Sequence, residues 1–323
     1  MRNKDRLLNS SIIPSSLWDR TSDVLEIPSA LAKAYVRLVD EKGLRALGTT
    51  RDPNSGPVGG ITKESSERHF AQAFDGSVAR ALLALLDPKN QAGSTSNTFI
   101  RCTAGNKISL TDAPCGAGAT TFSFLCALAE LREKKVLPRL PLDVYFIGAE
   151  LSVHARELAA EILEQVNHVL KAQAIFVEPK FVQWDVTDPL STTDLVKKCV
   201  HASSNSSHQL LVVANFNGLL EREGKRKEAQ PQLDELFRYA SGKNSFALWI
   251  EPAMNAATAK GGLFAWLHQQ FNSLWKRFGK AEIEDGRDKQ PYVLESRFRL
   301  PLLPSETARV SLAVMPIELK RIP

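Results

Sequence analysis

Cysteine is scarce in this sequence: Cys102, Cys115, Cys126 and Cys199 are the four in 323 residues. No two stand as C-x-x-C and no His or Cys falls at zinc-ligand spacing, so no metal site is expected. Cys115 and Cys126 flank an expected helix whose length, roughly 16 Å, exceeds the ~7 Å reach of a disulfide. Reduced thiols and a cytoplasmic location follow as expectations. Long apolar runs are also missing. Nothing approaches the ~18 consecutive apolar residues of a membrane span, and Met1–Ser10 lacks the apolar stretch of a secretory signal, so no membrane partner is expected. There is no internal repeat and no low-complexity segment. Charge of one sign is only slightly in excess: a formal +5 and a pI near 9.0 favour an acidic partner without forming a polybasic tail.

What is present is a junction. Ser109-Leu110-Thr111-Asp112 ends an apolar strand on a carboxylate, and Ala113-Pro114-Cys115-Gly116-Ala117-Gly118 leads through small residues into a helix. Open α/β sheets bind nucleotide-like ligands at such places, because the loop admits a close backbone approach and the helix N-terminus offers N–H groups. Gly116 and Gly118 supply the freedom. A dinucleotide fingerprint G-x-G-x-x-G would place a third glycine where Thr121 stands, which disfavours an NAD(P) oxidoreductase.

Three later strands also end on polar residues. Leu142–Ala149 closes on Glu150, Phe181–Trp184 runs into Asp185 and Val186, and Gln209–Ala214 breaks at Asn215-Phe216-Asn217. A fifth strand, Ser245–Ile250, closes on Glu251-Pro252. Two more, Tyr292–Leu300 and Arg309–Met315, pair through a proline-bearing turn. Helices are expected at Phe122–Leu131, at Ala155–Leu170, around Leu233–Phe237 and at Gly262–Phe278, the last with Phe264, Leu267, Phe271, Leu274 and Trp275 on one side.

This series resembles the class I S-adenosylmethionine (SAM) dependent methyltransferases. The resemblance implies an α/β fold: a Rossmann-like, seven-stranded, mostly parallel sheet with a terminal antiparallel pair. It implies SAM as cofactor, held by Asp112, Pro114, Gly116, Gly118, Glu150, Asp185, Val186 and Asn215. In that pattern Glu150 takes the ribose hydroxyls, Asp185 the adenine amino group, and the end of the fourth strand faces the methyl donor. Two departures stand out. Pro114 replaces the first glycine of E/D-x-G-x-G-x-G and removes one N–H donor. The gap from Asp112 to Glu150 exceeds the ~20 residues usual between a glycine loop and its ribose acid, and a basic, proline-bearing surface loop at 132–141 accounts for the excess.

Catalytic candidates are Asn215, Asn217 and Glu251. The two amides can align an acceptor by donating and accepting hydrogen bonds, or cap a turn. Glu251 can act as a general base, or cap the following segment. Asn215-Phe216-Asn217 lacks both prolines of the N-P-P-Y/F motif, so amino-group chemistry is not assigned. Cys115 reads as a methyl-accepting thiol or a small buried residue. His69, with Arg68, reads as a substrate contact or an exposed helix face. Lys225-Arg226-Lys227, inside an acidic and basic loop at 221–228, reads as a phosphate contact or a solvated stretch.

Residues 1–104 carry helical periodicity at Ser29–Val39 and from His69 to Leu86, with a Gly- and Pro-rich loop between and no apolar strand. A helical cap over the cleft is expected there, selecting substrate, with residues 105–323 forming the SAM-binding methyltransferase domain. The methyl acceptor is unassigned, nucleic acid being placed ahead of protein or small molecule by the basic balance. The alternative is a non-catalytic SAM-binding or scaffold protein that keeps the fold.

Overall fold

The computed structural model describes residues 6–50, 59–240, 244–253 and 292–318. The chain's strands, in order, are β1 (Trp18–Asp19), β2 (Val24–Leu25), β3 (Lys107–Asp112), β4 (Leu142–Ala149), β5 (Ile175–Val182), β6 (His208–Ala214), β7 (Ser245–Glu251), β8 (Tyr292–Leu300) and β9 (Leu303–Glu318). They form one sheet in the spatial order β1-β2-β8-β9-β7-β6-β3-β4-β5. From β5 through β7 all pairs are parallel, while β9 runs antiparallel to both β7 and β8. All seven expected strands are present, and two short ones extend the sheet beyond β8.

Parallel strands buried on both faces read as continuous apolar runs, and β6 is the clearest case. Leu210, Val212 and Ala214 face one core, Leu211 and Val213 the other. The first core packs under α1 (Ser29–Glu41), α3 (Lys63–Leu86), α4 (Thr95–Thr103), α5 (Ala119–Glu133) and α6 (Val153–Ala172). The second packs under α7 (Pro189–Ser204), α8 (Asn217–Arg222) and α9 (Arg226–Tyr239). A one-turn helix, α2 (Arg45–Thr49), follows α1.

The N-terminal segment contributes more than helices. Trp18, Val24 and Leu25 are buried, and β2 lies parallel to β8 with Val24 opposite Arg297 and Leu25 opposite Phe298. A two-residue strand has too little periodicity to be seen in sequence, which is why the region reads as strandless. Phe70, Phe74, Val78 and Leu82 of α3 share one core with Ile108, Leu110 and Phe146 of the sheet. Tyr35 Oη donates to the Ala71 carbonyl at 2.6 Å and fastens α1 to α3.

Several boundaries differ from the sequence reading: β9 and α3 each start six residues earlier than expected, at Leu303 and Lys63. The third of the parallel strands spans Ile175–Val182, so Asp185 lies past its end in a turn: Thr187 donates to Asp185 Oδ1 from both its backbone N–H (2.8 Å) and its hydroxyl (2.7 Å). The stretch 221–228 is mostly helical, since α8 ends at Arg222 and α9 starts at Arg226. The expected helix at Gly262–Phe278 lies outside the described residues.

Candidate cofactor and acceptor site

Strand order reverses between β3 and β6, and the crevice outside the carboxyl ends of such a pair is where open α/β sheets bind ligands. Asp112 ends β3 there, 1% exposed. Thr121, standing where the third glycine is missing, donates its hydroxyl to Asp112 Oδ2 at 2.8 Å. Oδ1 is buried with no hydrogen-bond partner. Burial pushes this carboxyl up to about 7, the Glu150 charge adding to the effect.

The loop after Asp112 is tied down at several points. The Ala113–Pro114 peptide is cis. Cys115 N–H donates to the Ala149 carbonyl at 2.9 Å, and Gly118 N–H to the Cys115 carbonyl at 2.8 Å. Gly116 and Gly118 both adopt left-handed backbone, at φ 51° and 79°, but for different reasons. A Cβ on Gly118 would lie 2.2 Å from the Phe122 ring, whereas one on Gly116 would meet nothing within 4 Å. Gly118 is therefore required by packing, and Gly116 borders open space. Cys115 is buried with its thiol pushed well up by desolvation, which makes it a packing residue and a poor nucleophile.

Glu150 joins this loop to the end of β4. Its Oε2 accepts from Gly116 N–H (3.1 Å) and its Oε1 from Ser152 N–H (2.9 Å). Desolvation nevertheless raises its pKa. Asp185 holds its own turn through Oδ1, and Val186 beside it is buried in the second core. The connection between α5 and β4 is largely exposed, as expected.

A second cluster sits at the ends of β6 and β7. Asn215 has φ 55°, and its N–H donates to the Ile250 carbonyl at 2.9 Å. Glu251 is 1% exposed, and its Oε1 alone accepts from Phe216 N–H (3.1 Å), Asn217 N–H (3.0 Å) and Trp249 Nε1 (2.8 Å). Burial raises it to about 7 against the effect of those donors and of Arg80. Asn217 is buried with Oδ1 unpartnered. Thus Asn215, Asn217 and Glu251 come together, and the loop at 215–217 hangs on the Glu251 carboxylate.

Sequence reasoning missed two members from α3. Arg80 donates from Nε to Asn215 Oδ1 (2.8 Å) and from Nη2 to Ser77 Oγ (3.0 Å). Burial lowers it to about 10, with Glu251 and Asp75 opposing the shift, so it stays a cation at neutral pH. Asp75 is fully buried in the same helix. The usable signal was a charged residue inside Val78-Ala79-Arg80-Ala81-Leu82, where apolar periodicity draws the eye to the neighbours. His69 belongs to this cluster too: its Nδ1 is buried without a partner, and burial holds the imidazole down to about 4, with the Arg80 and Arg222 charges adding. It is neutral at pH 7. Lys225 and Arg226, by contrast, are engaged locally, by Glu223 and Glu221, each at 3.0 Å.

Five parallel strands in the order β5-β4-β3-β6-β7 repeat the 3-2-1-4-5 winding of dinucleotide-binding sheets. The next position holds antiparallel β9, reached from the outside through β8, where a dehydrogenase sheet would add another parallel strand. The fold is that of the class I methyltransferases. No protein-family model matches the sequence, and no curated protein matches it. Among solved structures, similarity is found to a precorrin-6y C5,15-methyltransferase from Geobacter metallireducens (10% identity, 68% of this chain and 86% of that one, TM-score 0.33). It is also found to an rRNA methyltransferase from Streptomyces viridochromogenes (12%, 68% and 82%, 0.32) and to a candidate class I SAM-dependent methyltransferase from Listeria monocytogenes (14%, 92% and 89%, 0.31). The methyltransferase fold is assigned on strand order and direction, and these distant likenesses add no weight to it. Among the described residues no three His, Cys, Asp or Glu side chains are placed to hold a metal ion, and no helix is long and apolar enough to cross a membrane.

Proposed function

We propose that this chain is a cytoplasmic SAM-dependent methyltransferase. One observation carries the reading: at the switch point of the sheet, a buried carboxyl oxygen of Asp112 lacks a partner, and the loop that follows carries a glycine, Gly116, that faces open space. A buried acceptor left unpaired costs about 1–3 kcal/mol, and a cationic ligand group would recover it. Asp112, Pro114, Gly116 and Gly118 would hold the methionine end of SAM, Glu150 the ribose, and Asp185 with Val186 the adenine.

Bound SAM supplies an electrophilic methyl group on a sulfonium. The chain's contribution is orientation, which can amount to about 7–11 kcal/mol without a strong acid or base. Asn215 and Asn217 line the acceptor, Asn217 through its unpartnered Oδ1. Glu251, at about 7, is suited to taking a proton near neutral pH. Residues 1–104 select the acceptor and 105–323 bind the cofactor. Nucleic acid is placed first among acceptors on the net charge.

The non-catalytic reading draws on the bracing of this site, since Arg80 occupies Asn215 Oδ1 and three donors occupy Glu251 Oε1. Calorimetric titration with SAM tests the cofactor, and transfer of labelled methyl groups into fractionated cell extract tests catalysis. Binding without transfer favours the non-catalytic reading, and absence of binding rejects the methyltransferase and leaves only a cofactor-free scaffold.

A further inference from the structure

We propose that Arg80, on helix α3, is a positioning residue that braces the loop Asn215–Asn217 and fixes Asn215 as a hydrogen-bond donor toward the methyl acceptor. This rests on the methyltransferase reading for its consequence, but not for its geometry. An arginine can only donate. Its Nε contact at 2.8 Å therefore turns the Asn215 amide oxygen toward α3 and leaves the NH2 group for other partners. The backbone of Asn215 is left-handed, a conformation asparagine tolerates better than most residues, and its surroundings hold it there. Here the surroundings are the Ile250 carbonyl on one side and Arg80 on the other.

The same guanidinium acts on the other support of the loop. Glu251 receives the Phe216 and Asn217 amides and the Trp249 indole, and the Arg80 charge favours its ionised form. Ser77, one turn before Arg80 on α3, holds it by a 3.0 Å bond, and Asp75 acts on it by charge. Acceptor geometry is thus set from the N-terminal helix. An acceptor that presents a carbonyl oxygen or ring nitrogen to Asn215 is the chemistry this orientation suits.

The Trp249 indole N–H reports on Glu251 directly. Its resonance in the 15N-labelled full chain, assigned among the five tryptophans by its loss in Trp249→Phe, is expected to titrate near pH 7. Arg80→Gln removes the charge and should move that midpoint to higher pH. It should also speed amide exchange at Phe216 and Asn217 by about tenfold or more, the equivalent of one charged hydrogen bond. Arg80→Lys keeps the charge and loses the reach to Asn215, so exchange should rise with the midpoint in place. It carries the test alone should Arg80→Gln not fold. A folded Arg80→Gln chain with unmoved midpoint and exchange, or Arg80→Lys with unmoved exchange, overturns the brace. SAM titration of the unaltered protein separates the two ideas: no binding removes the methyltransferase reading and leaves the brace standing.

Discussion

Gly116 and Gly118 share a backbone conformation but separate cleanly as experiments. An alanine at 116 pays only for left-handed backbone, about 1–2 kcal/mol, because its Cβ meets nothing. It should leave a folded protein with a slightly lower melting temperature and a SAM affinity reduced about tenfold or more, since the methyl group occupies the proposed approach. Calorimetry on the folded variant decides, and undiminished affinity rejects the assignment of this space. Alanine at 118 runs into Phe122 and should destabilise the chain more. Charge gives a second test at this scale. Asp112 and Glu251 are raised to about 7 from ordinary values near 4, so the folded state holds their protons more tightly. The stability they contribute is complete below about pH 4 and is lost as pH rises through about 7. His69, lowered to about 4, works the other way: its share is present above about 6.5 and is lost on acidification. Two groups outweigh one. The melting temperature of the ligand-free protein should fall from pH 5 to pH 8, less steeply in Asp112→Asn and Glu251→Gln; a rise over that interval is the contrary result.

Among elements, α3 joins the N-terminal segment to the ends of β6 and β7 through Arg80 at Asn215. Tyr35 and Phe74 stack at 5.2 Å and Phe70 meets Tyr35 edge-on at 5.4 Å, with the Tyr35 hydroxyl bound to Ala71. Tyr35→Phe should cost about 1 kcal/mol, the net worth of one neutral hydrogen bond, measurable by urea denaturation with the slope unchanged. A loss many times larger means that the hydroxyl is holding the helix in place. The strand ends were legible in sequence because each combines an apolar run with an abrupt polar residue, as at Asp112, Glu150 and Glu251. The turn at Asp185 was misread as strand because Trp184 and Val186 are both buried and alternate with polar neighbours, which imitates a period of two. Arg80 and Asp75 stayed hidden for a different reason. Helical periodicity marks the apolar side of a helix, and α3 is buried around much of its circumference between Phe70 and Leu86, so its polar members carry no distinguishing phase.

At the scale of the molecule, the two stretches divided at residue 104 have separate proposed tasks but a common interior. Leu31, Tyr35, Phe74 and Leu82 pack in the same core as Leu110, Phe124 and Phe146. A chain starting at Thr103 would keep α5 and α6 on that side of the sheet but expose the apolar surface that α1, α3 and α4 cover. It is expected to lose cooperative unfolding in circular dichroism, and with it any SAM binding. A sharp thermal transition in that fragment would establish that the later residues hold a core unaided.

The two ends of the sheet carry a further consequence. At one border, β5 carries Glu178, Pro179 and Lys180 side by side, all exposed. A proline withholds the N–H that another strand would need, and charges resist burial. At the opposite border stands β1, only Trp18 and Asp19, with the Arg20 guanidinium 5.5 Å from the indole centroid. Two residues make a poor template for pairing. Both border strands are therefore poor templates for strand addition, and the parallel ladder ends at β5 on a strand that resists pairing with a second copy or an extended peptide.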